Sequence, residues 1–298
     1  MGVFVGLDCG GSSSRVMAVD EHGAILFQGQ SGAANLLSTP ESRLRRNLIN
    51  ATKGCPVPDY VCGCFAGLVN DSVRDKGLNI LEDIFPNTDS FRAEPDYAAA
   101  LYAAPDCDVC VIAGTGSLIC SKVNGKIVKS GGKGYVLGDE GSGYQYGRDI
   151  VMTYLDSPEK ISAHSKALLS ETFGSLEASE IIAAVYRAPS PATILARLVK
   201  AIGYDAAHGH QYAIDSIATH SHAIAALIAR HISTHHRQQS SVKLSLSGGV
   251  WKASILFREQ LQSQLLRLLP DQNIELSRLQ NPPLYGAVQL AREMNHVN

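Results

Sequence analysis

Two segments of the chain share one pattern, in which a short apolar strand ends in glycine and hydroxyl residues and a second strand follows directly. The first is V-F-V-G-L-D-C-G-G-S-S-S at residues 3–14, and the second is V-C-V-I-A-G-T-G-S at residues 109–117. After each turn, apolar and polar residues alternate again, as in a β-hairpin. The repeat predicts two similar halves, each built around a hairpin with a glycine-rich turn.

The composition of these turns suits phosphate binding. In the first glycine turn (residues 10–13), Gly10 and Gly11 let backbone N–H groups point toward an anion, and Ser12 and Ser13 can donate beside them. Asp8 ends the preceding strand, where a carboxylate can hold hydrated Mg²⁺ against the same phosphates. A single copy could equally be a tight hairpin whose side chains cap the backbone. Because the same kind of turn recurs at residues 114–116, here called the second glycine turn, we favour phosphate binding over a simple hairpin.

Neither turn matches the more familiar nucleotide-binding motifs. The sequence G-x-x-x-x-G-K-[ST] of a P-loop occurs nowhere in the chain. The Rossmann fingerprint requires a helix directly after its glycine turn, and neither turn of this chain leads into a helix. We therefore expect phosphate to be held between two hairpins.

Charge and composition narrow the class of partner. A net charge of −2 and a pI near 6.5 argue against nucleic acid or an anionic membrane as a partner. No apolar run approaches the ~20 residues of a membrane span. The first strand carries Asp8, which the apolar stretch of a signal peptide would not. Seven cysteines scattered through apolar runs are typical of a reducing compartment. We expect a cytoplasmic protein of about two domains, with a small-molecule ligand.

A candidate catalytic carboxylate follows Pro95. Asp96 opens the alanine-rich segment D-Y-A-A-A-L-Y-A-A, so it should lie at a helix N-terminus, where a carboxylate stays ionised. Phosphoryl transfer to an alcohol needs one carboxylate to accept the hydroxyl proton. A helix cap is the commoner role of an aspartate at such a place, so these residues alone leave both roles open.

Two later segments are also rich in glycine. Residues 131–143, G-G-K-G-Y-V-L-G-D-E-G-S-G, place six glycines around Asp139 and Glu140. They predict close approach of the backbone to a ligand, with a mobile surface loop as the alternative. Gly248 and Gly249 follow a strand and precede a helix, which suits phosphate or ribose but also an ordinary strand-to-helix turn.

Two groups of residues could bind a metal. Cys62, Cys64, Cys107 and Cys110 have the spacing of a zinc site, but most of them lie in apolar runs that predict buried strands. His231 and His235 are one turn apart in a helix predicted over 206–235. No Glu-x-x-His or acidic partner accompanies these histidines, so we interpret them as a polar helix face or a dimer contact.

Five blocks of the sequence, taken in order, resemble one known family. They are D-C-G-G-S-S-S, A-G-T-G-S, G-G-K-G-Y-V-L-G-D-E-G-S-G, L-S-G-G-V-W and P-P-L-Y-G-A-V-Q-L-A. This set resembles the N-acetylglucosamine kinase branch of the BadF/BadG/BcrA/BcrD ATPase family, part of the actin, sugar-kinase and heat-shock-ATPase superfold. The blocks span nearly the whole chain. Cys9 stands where that family usually has glycine, and Tyr97 where relatives often have alanine.

The resemblance implies an α/β fold of two ribonuclease-H-like (actin-like ATPase) domains with an interdomain cleft. The N-terminal domain would contain residues 1–105, with the C-terminal helix 283–298 packed back on it. The C-terminal domain would contain residues 106–282 and a helical insertion. The resemblance also implies a homodimer.

The resemblance implies ATP and Mg²⁺ as cofactors and assigns site residues. Asp96 would be the catalytic base and Asp8 would hold Mg²⁺ through water. Residues implied to bind an amino sugar are Asn35, Asp96, Ser117, Gly132, Gly134 and Asp139. Residues implied to bind ATP are Gly10, Gly11, Ser12, Ser13, Thr115, Gly116, Gly248 and Gly249.

The implied reaction is ATP-dependent phosphorylation of N-acetylglucosamine at the 6-hydroxyl, giving N-acetylglucosamine 6-phosphate. A glucosamine kinase of the same fold is an alternative. A redox ATPase that activates a radical dehydratase is another, but it would need cluster-binding cysteines. A sugar-sensing regulator would carry a helix-turn-helix ahead of the first strand, where this chain has two residues.

Overall fold

The computed structural model describes residues 2–88 and 90–295, and it divides the chain into two compact units. One unit contains Met1–Asp106 and Leu279–Asn298, and the other contains Cys107–Arg278. Each unit is built around one five-stranded sheet. Within the described ranges, every helix is too short or too polar to cross a bilayer.

The sheet of the first unit combines an antiparallel meander with two parallel strands. Its strands are β1 Phe4–Cys9, β2 Ser14–Val19, β3 Ile25–Ser31, β4 Tyr60–Phe65 and β5 Ser90–Pro95. They are arranged in the order β3-β2-β1-β4-β5, with β2 antiparallel to both β1 and β3. Strands β4 and β5 run parallel to β1. Parallel pairing needs crossover connections, which helices provide in this unit.

The sheet of the second unit repeats this topology. Its strands are β6 Val109–Ala113, β7 Ser117–Val123, β8 Lys126–Gly131, β9 Ser241–Ser247 and β10 Asn273–Arg278. The order β10-β9-β6-β7-β8 again has the first strand in the centre, a meander on one side and parallel strands on the other. The duplication predicted from the two hairpins is confirmed, and with it the α/β class of two ribonuclease-H-like domains.

Helices cover and connect the strands of both sheets. They are α1 Glu41–Thr52, α2 Asp71–Ile84, α3 Asp96–Tyr102, α4 Gly143–Asp156, α5 Ala163–Phe173, α6 Ala178–Arg187, α7 Pro191–Ala196, α8 Val199–Ala207, α9 Gln211–His235, α10 Val250–Ala253, α11 Ile255–Leu268 and α12 Pro283–Met294. A short 3₁₀ helix covers Pro158–Lys160. The predicted helical insertion corresponds to α4 through α8, which lie between β8 and α9 in the chain.

The structure shifts one predicted helix and divides another. The helix predicted over 206–235 begins only at Gln211, because Gly209 has a left-handed φ of +82° after the end of α8. The helix predicted to follow Gly249 is the single turn α10. Ser254 then has an extended backbone, and its side chain accepts from the N–H of Leu256 at the start of α11.

Strand β10 was missed because its sequence, N-I-E-L-S-R, shows little apolar character. It is the edge strand of its sheet, and only Ile274 is fully buried. The prediction that Trp251 belongs to the core is confirmed. This residue is 2% exposed, and its indole N–H donates to the carbonyl of Val111 at 3.2 Å.

Helix α12 belongs to the first unit and packs closely on β1 and α3. A Cβ atom on Gly286 would lie 1.9 Å from the carbonyl oxygen of Ala99 in α3. A Cβ atom on Gly6 in β1 would lie 2.4 Å from the backbone nitrogen of Val288. Only glycine permits either approach, because every other residue would put an atom inside the neighbouring backbone.

His231 differs from the prediction of a polar helix face. The side chain is 1% exposed, and its Nε2 and Nδ1 atoms lie 2.9 Å from Ser121 Oγ and 2.8 Å from Ser130 Oγ. These hydroxyls belong to β7 and β8, so the histidine attaches α9 to the sheet. Burial, helped by the nearby His235 and His236, lowers the pKa of His231 to about 4.

We expect Gly286→Ala to lower the free energy of unfolding by about 1–3 kcal/mol, the usual cost of overpacking. Alanine stabilises a helix more than glycine does where there is space for its side chain, so a loss of stability would come from the clash with Ala99. Urea unfolding of the purified protein measures this change. Gln289→Ala, at an exposed position of the same helix, is the matched control and should leave stability nearly unchanged. Equal or greater stability of Gly286→Ala would contradict the packing.

The buried His231 should make the second unit less stable in acid. The pKa of His231 in the folded protein, about 4, lies below the ordinary value of 6.5. Between pH 4 and pH 6.5 the unfolded chain therefore binds a proton at this histidine more readily than the folded protein does. Lowering the pH from about 7 to about 5 should therefore cost on the order of 2 kcal/mol.

Urea unfolding at both pH values tests this, with His231→Gln expected to lose this part of the pH dependence. His164→Gln, an exposed histidine of the same unit, should retain it. A pH dependence that is the same in wild type and His231→Gln would show that the prediction is wrong.

Candidate active site

The carboxyl ends of β1, β4 and β5 meet at one edge of the first sheet. Cys9 pairs in register with Phe65, and Phe65 with Pro95. Asp8 lies one residue before the end of β1, and Asp96 directly follows β5. Ligands of open α/β sheets bind at this kind of edge. The structure thus brings together the two aspartates that the sequence suggested as metal and base residues.

The two carboxylates interact electrostatically. The pKa of Asp8 is raised to about 6, because burial and then the nearby negative charge of Asp96 raise it by more than Arg15 lowers it. Arg15 is the register partner of Asp8 on β2. The sequence analysis did not single out Arg15, although a basic residue directly after the serine run was a signal for it.

Asp96 is the first residue of the short helix α3 and is partly buried. Its Oδ1 atom accepts a hydrogen bond from the N–H of Tyr97 at 3.0 Å. The helix N-terminus and this N–H both favour the ionised form of a carboxylate. The environment therefore suits a carboxylate that receives a proton during a reaction.

The first glycine turn is exposed at its tip and closed at its base. The N–H of Gly10 donates to the carbonyl of Ser13 at 2.9 Å, so it closes the turn and does not point toward a ligand as predicted. Gly11 and Ser12 are exposed. Ser14, the third hydroxyl of the run, is buried and donates to the carbonyl of Gly32 at 2.9 Å. Of this run, Gly11 and Ser12 are the residues open to solvent.

Asn35 lies on a loop bonded to the same sheet edge. The N–H groups of Ala34 and Leu36 donate to the carbonyls of Gly10 and Ala66, each at 3.0 Å. The side-chain oxygen of Asn35 accepts from the N–H groups of Leu37 and Ser38, each at 2.9 Å.

This turn fixes the orientation of the Asn35 amide. Because the oxygen already accepts two backbone bonds, the amide nitrogen is the group that can donate to a ligand.

The second glycine turn is joined to the start of α4. The N–H of Gly114 donates to the carbonyl of Gly116 at 2.9 Å, and the N–H of Gly143 donates to the carbonyl of Gly114 at 2.7 Å. Thr115 is exposed at the tip. Ser117 is buried, and its hydroxyl donates to the carbonyl of Glu140 at 2.7 Å. In this structure the Ser117 side chain therefore holds the neighbouring loop and does not face a substrate as predicted.

Asp139 is buried against the second glycine turn. A Cβ atom on Gly116 would lie 2.5 Å from Asp139 Oδ2, and Asp139 Oδ1 accepts from the N–H of Gly134 at 3.2 Å. Burial raises the pKa of Asp139, whereas bonds from the N–H groups of Gly134 and Ser117 lower it. Its φ of +63° is unusual for a residue other than glycine. Backbone strain of this kind is concentrated at functional sites.

The glycines around Asp139 allow the chain to turn sharply. Gly132 and Gly134 have φ values of +66° and +82°, which other residues adopt at a cost. The N–H of Gly132 donates to the carbonyl of Ser117 at 3.1 Å. Between these glycines and Asp139, the side chains of Val136 and Leu137 are largely exposed.

The Gly248–Gly249 turn lies against the second glycine turn. Gly248 has a φ of +113°, and a Cβ atom on it would lie 2.2 Å from the carbonyl oxygen of Ala113. It would also lie 3.0 Å from the backbone nitrogen of Gly114. Gly249 is exposed, with no atom near the position of a Cβ. The predicted adenosine and phosphate turns of this unit are thus in direct contact.

The interaction of the two aspartates can be tested by titration. In the protein without ligands, ¹³C NMR of the carboxyl groups should show Asp8 titrating near the pKa of about 6. Asp96→Asn removes a like charge and should lower that pKa. Asp71→Asn, which removes an exposed aspartate at the start of α2, should leave it unchanged. An Asp8 pKa in the ordinary range near 4 would contradict the electrostatic interaction between Asp8 and Asp96.

Several known proteins with similar sequence or structure are described as sugar kinases. The chain is 23% identical over 316 residues to the N-acetylmuramic acid/N-acetylglucosamine kinase of Clostridium acetobutylicum, covering 98% of this chain and 99% of that enzyme. A crystal structure from Porphyromonas gingivalis, described as a candidate N-acetylglucosamine kinase, aligns with a TM-score of 0.76 at 20% identity. That alignment covers 99% of this chain and 100% of the other.

A ROK family glucokinase from Streptomyces griseus, solved with glucose and AMPPNP, has the same fold. It aligns with a TM-score of 0.64 at 19% identity and covers 98% of this chain and 100% of its own. The predicted fold is confirmed by these likenesses.

A family model described as the BadF/BadG/BcrA/BcrD ATPase family matches residues 5–278. This match covers most of the chain, including the first four of the five sequence blocks, and confirms the resemblance to this family. The chain belongs to the BadF/BadG/BcrA/BcrD ATPase family.

Proposed function

We propose that this protein is a sugar kinase that transfers the γ-phosphate of ATP to the 6-hydroxyl of N-acetylglucosamine. The observation that carries the proposal is the pair of carboxylates, Asp8 and Asp96, at the edge of the first sheet beside an exposed glycine turn. Family membership supports the use of ATP. The described activity of the Clostridium acetobutylicum relative supports an amino sugar as acceptor.

In the proposed reaction, Asp96 accepts the proton of the attacking hydroxyl. The hydroxyl oxygen forms a bond to the γ-phosphorus, the bond from that phosphorus to the bridging oxygen breaks, and ADP leaves with the electron pair. A carboxylate can serve as this base because the hydroxyl becomes more acidic as its bond to phosphorus forms. The amide nitrogen of Asn35 is placed to donate to another sugar hydroxyl.

The chemistry of the first site fits a divalent cation. Asp8 is a partly buried carboxyl with a raised pKa beside a second carboxylate, an arrangement that a positive charge would stabilise. Mg²⁺ bound through water to Asp8 would neutralise phosphate charge. Arg15, across the strand pair, is a further positive group near Asp8.

We infer that the second unit binds the nucleotide through its backbone. Thr115 and Gly116 would contact phosphate, and Gly248 and Gly249 would lie on the adenosine side. The contact of Gly248 with Ala113 and Gly114 supports one continuous binding surface. Asp139, held by the N–H of Gly134, would set the shape of the second glycine turn.

Glucosamine is the alternative acceptor, and the carboxylate chemistry would be the same. The redox ATPase alternative receives less support from the structure. Cys9, Cys62, Cys64, Cys110 and Cys120 are all buried, whereas a shared cluster needs cysteines at a subunit surface.

The test is an ATP-dependent phosphorylation assay with N-acetylglucosamine and glucosamine side by side. We expect turnover of N-acetylglucosamine, falling by roughly 10²–10⁴-fold in Asp96→Asn, because the proton acceptor is lost. Asp71→Asn is the matched control, since Asp71 also begins a helix but its side chain is fully exposed. It should retain wild-type activity.

Three results would overturn all or part of this proposal. Full activity of Asp96→Asn would mean that another group is the base. Turnover of glucosamine alone would correct the acceptor, and no turnover of either sugar would refute amino-sugar kinase activity.

A further inference from the structure

A guanidinium group binds the end of strand β5, just before Asp96. Arg74, on helix α2, donates from Nη1 to the backbone carbonyl of Ala93. The same nitrogen lies 3.4 Å from Oε2 of Glu94. Pro95 alone separates Glu94 from Asp96 in the chain. Both contacts of Arg74 are therefore made to the residues that lead into the proposed catalytic base.

These two contacts join opposite faces of the first sheet. Strand β5 is the last strand in the order β3-β2-β1-β4-β5, so one of its sides is a sheet edge. Ala93 is buried on the face covered by α2, where a Cβ atom on Gly77 would lie 3.5 Å from Ala93 Cβ. Side chains alternate along a strand, so Glu94 points to the opposite face. Arg74 thus reaches from α2 around the edge of β5 to the Glu94 carboxylate.

A second arginine binds the same carboxylate from its own face. Arg92 Nε lies 2.9 Å from Glu94 Oε1, and Arg92 Nη1 lies 3.5 Å from Oε2 of Glu293 in α12. The Glu94 side chain is 15% exposed, so its ion pairs are screened less than pairs at the surface. With the contact to Arg74, this carboxylate connects α2, β5 and α12.

The backbone between Glu94 and Asp96 has little freedom. The ring of Pro95 fixes its φ, which is −66°, and Pro95 is the residue that precedes the first turn of α3. Asp96 begins that helix, and its Oδ1 atom accepts from the N–H of Tyr97 at 3.0 Å. The position of the Asp96 carboxylate therefore depends on the position of the end of β5.

We propose that Arg74 is a positioning residue, which fixes the Asp96 carboxylate by attaching the end of β5 to α2. The inference rests on the proposed function, in which Asp96 accepts the proton of the sugar hydroxyl. Arg74 acts on Asp96 through Ala93 and Glu94. Its Nε atom also lies 3.9 Å from Asp71 Oδ1, but that side chain is fully exposed, and exposed ion pairs contribute little.

Steady-state kinetics of Arg74→Gln with ATP and N-acetylglucosamine tests the proposal. We expect kcat to fall roughly 10–10²-fold, the size of effect that a misplacement of about 1 Å produces. The KM of each substrate should change by less than about threefold, because the loss concerns proton transfer rather than binding. Arg74→Lys keeps the charge without the planar set of donors, so its kcat should lie between those of Arg74→Gln and wild type.

Arg45→Gln is the matched control. Arg45, on α1, also forms ion pairs with two carboxylates, those of Glu41 in α1 and Asp83 in α2. Its side chain is 33% exposed, against 35% for Arg74. The two variants should lose similar stability in urea unfolding, but Arg45→Gln should keep the wild-type kcat.

Hydrogen exchange of the Tyr97 amide, followed by NMR without ligands, is a readout that needs no turnover. Asp96 Oδ1 accepts from this N–H, so displacement of the carboxylate exposes it to solvent. Exchange should be about tenfold faster or more in Arg74→Gln than in wild type, and unchanged in Arg45→Gln.

Three results would overturn the positioning role of Arg74. They are an unchanged kcat in Arg74→Gln, a raised KM at constant kcat, and an unchanged rate of exchange at Tyr97. If the wild-type protein phosphorylates neither sugar, the kinase proposal fails. The exchange measurement alone then decides whether Arg74 positions Asp96.

Discussion

The parallel pairing of β1, β4 and β5 is the constraint on which the candidate site depends. Because the three strands run in one direction, their carboxyl ends reach the same edge, and Asp8 and Asp96 meet there although they are far apart in the sequence. Burial and like charge make this arrangement costly, as the raised pKa of Asp8 shows. Such a cost is common where perturbed carboxyl groups serve chemistry.

Glycine has a second role in this chain, which is to let parts of the protein approach one another. Gly248 lies against the backbone of Ala113, Gly116 against the carboxylate of Asp139, and Gly286 against the backbone of Ala99. The sequence analysis attributed most conspicuous glycines to ligand approach. Both uses follow from the missing Cβ atom, so a glycine in the sequence does not show which neighbour it admits.

Local patterns accounted for much of the fold. The two hairpins, the helix beginning at Asp96 and the helix beginning at Pro283 follow from turn residues, alternation and helix-start signals. Strand β10 was missed because an edge strand is half polar. The roles predicted for Ser117 and His231 differ in the structure, because each side chain is bonded to a partner on a distant segment.

The sequence by itself determined the duplication, the α/β class and the residue types available for phosphate chemistry, since these depend on patterns within short segments. Tertiary structure decided which of those residues are used. It placed Asp8 beside Asp96 and turned the Ser14 hydroxyl inward to Gly32. Contacts of this kind depend on strand register and helix packing, which bring distant segments together and are not encoded in any one of them.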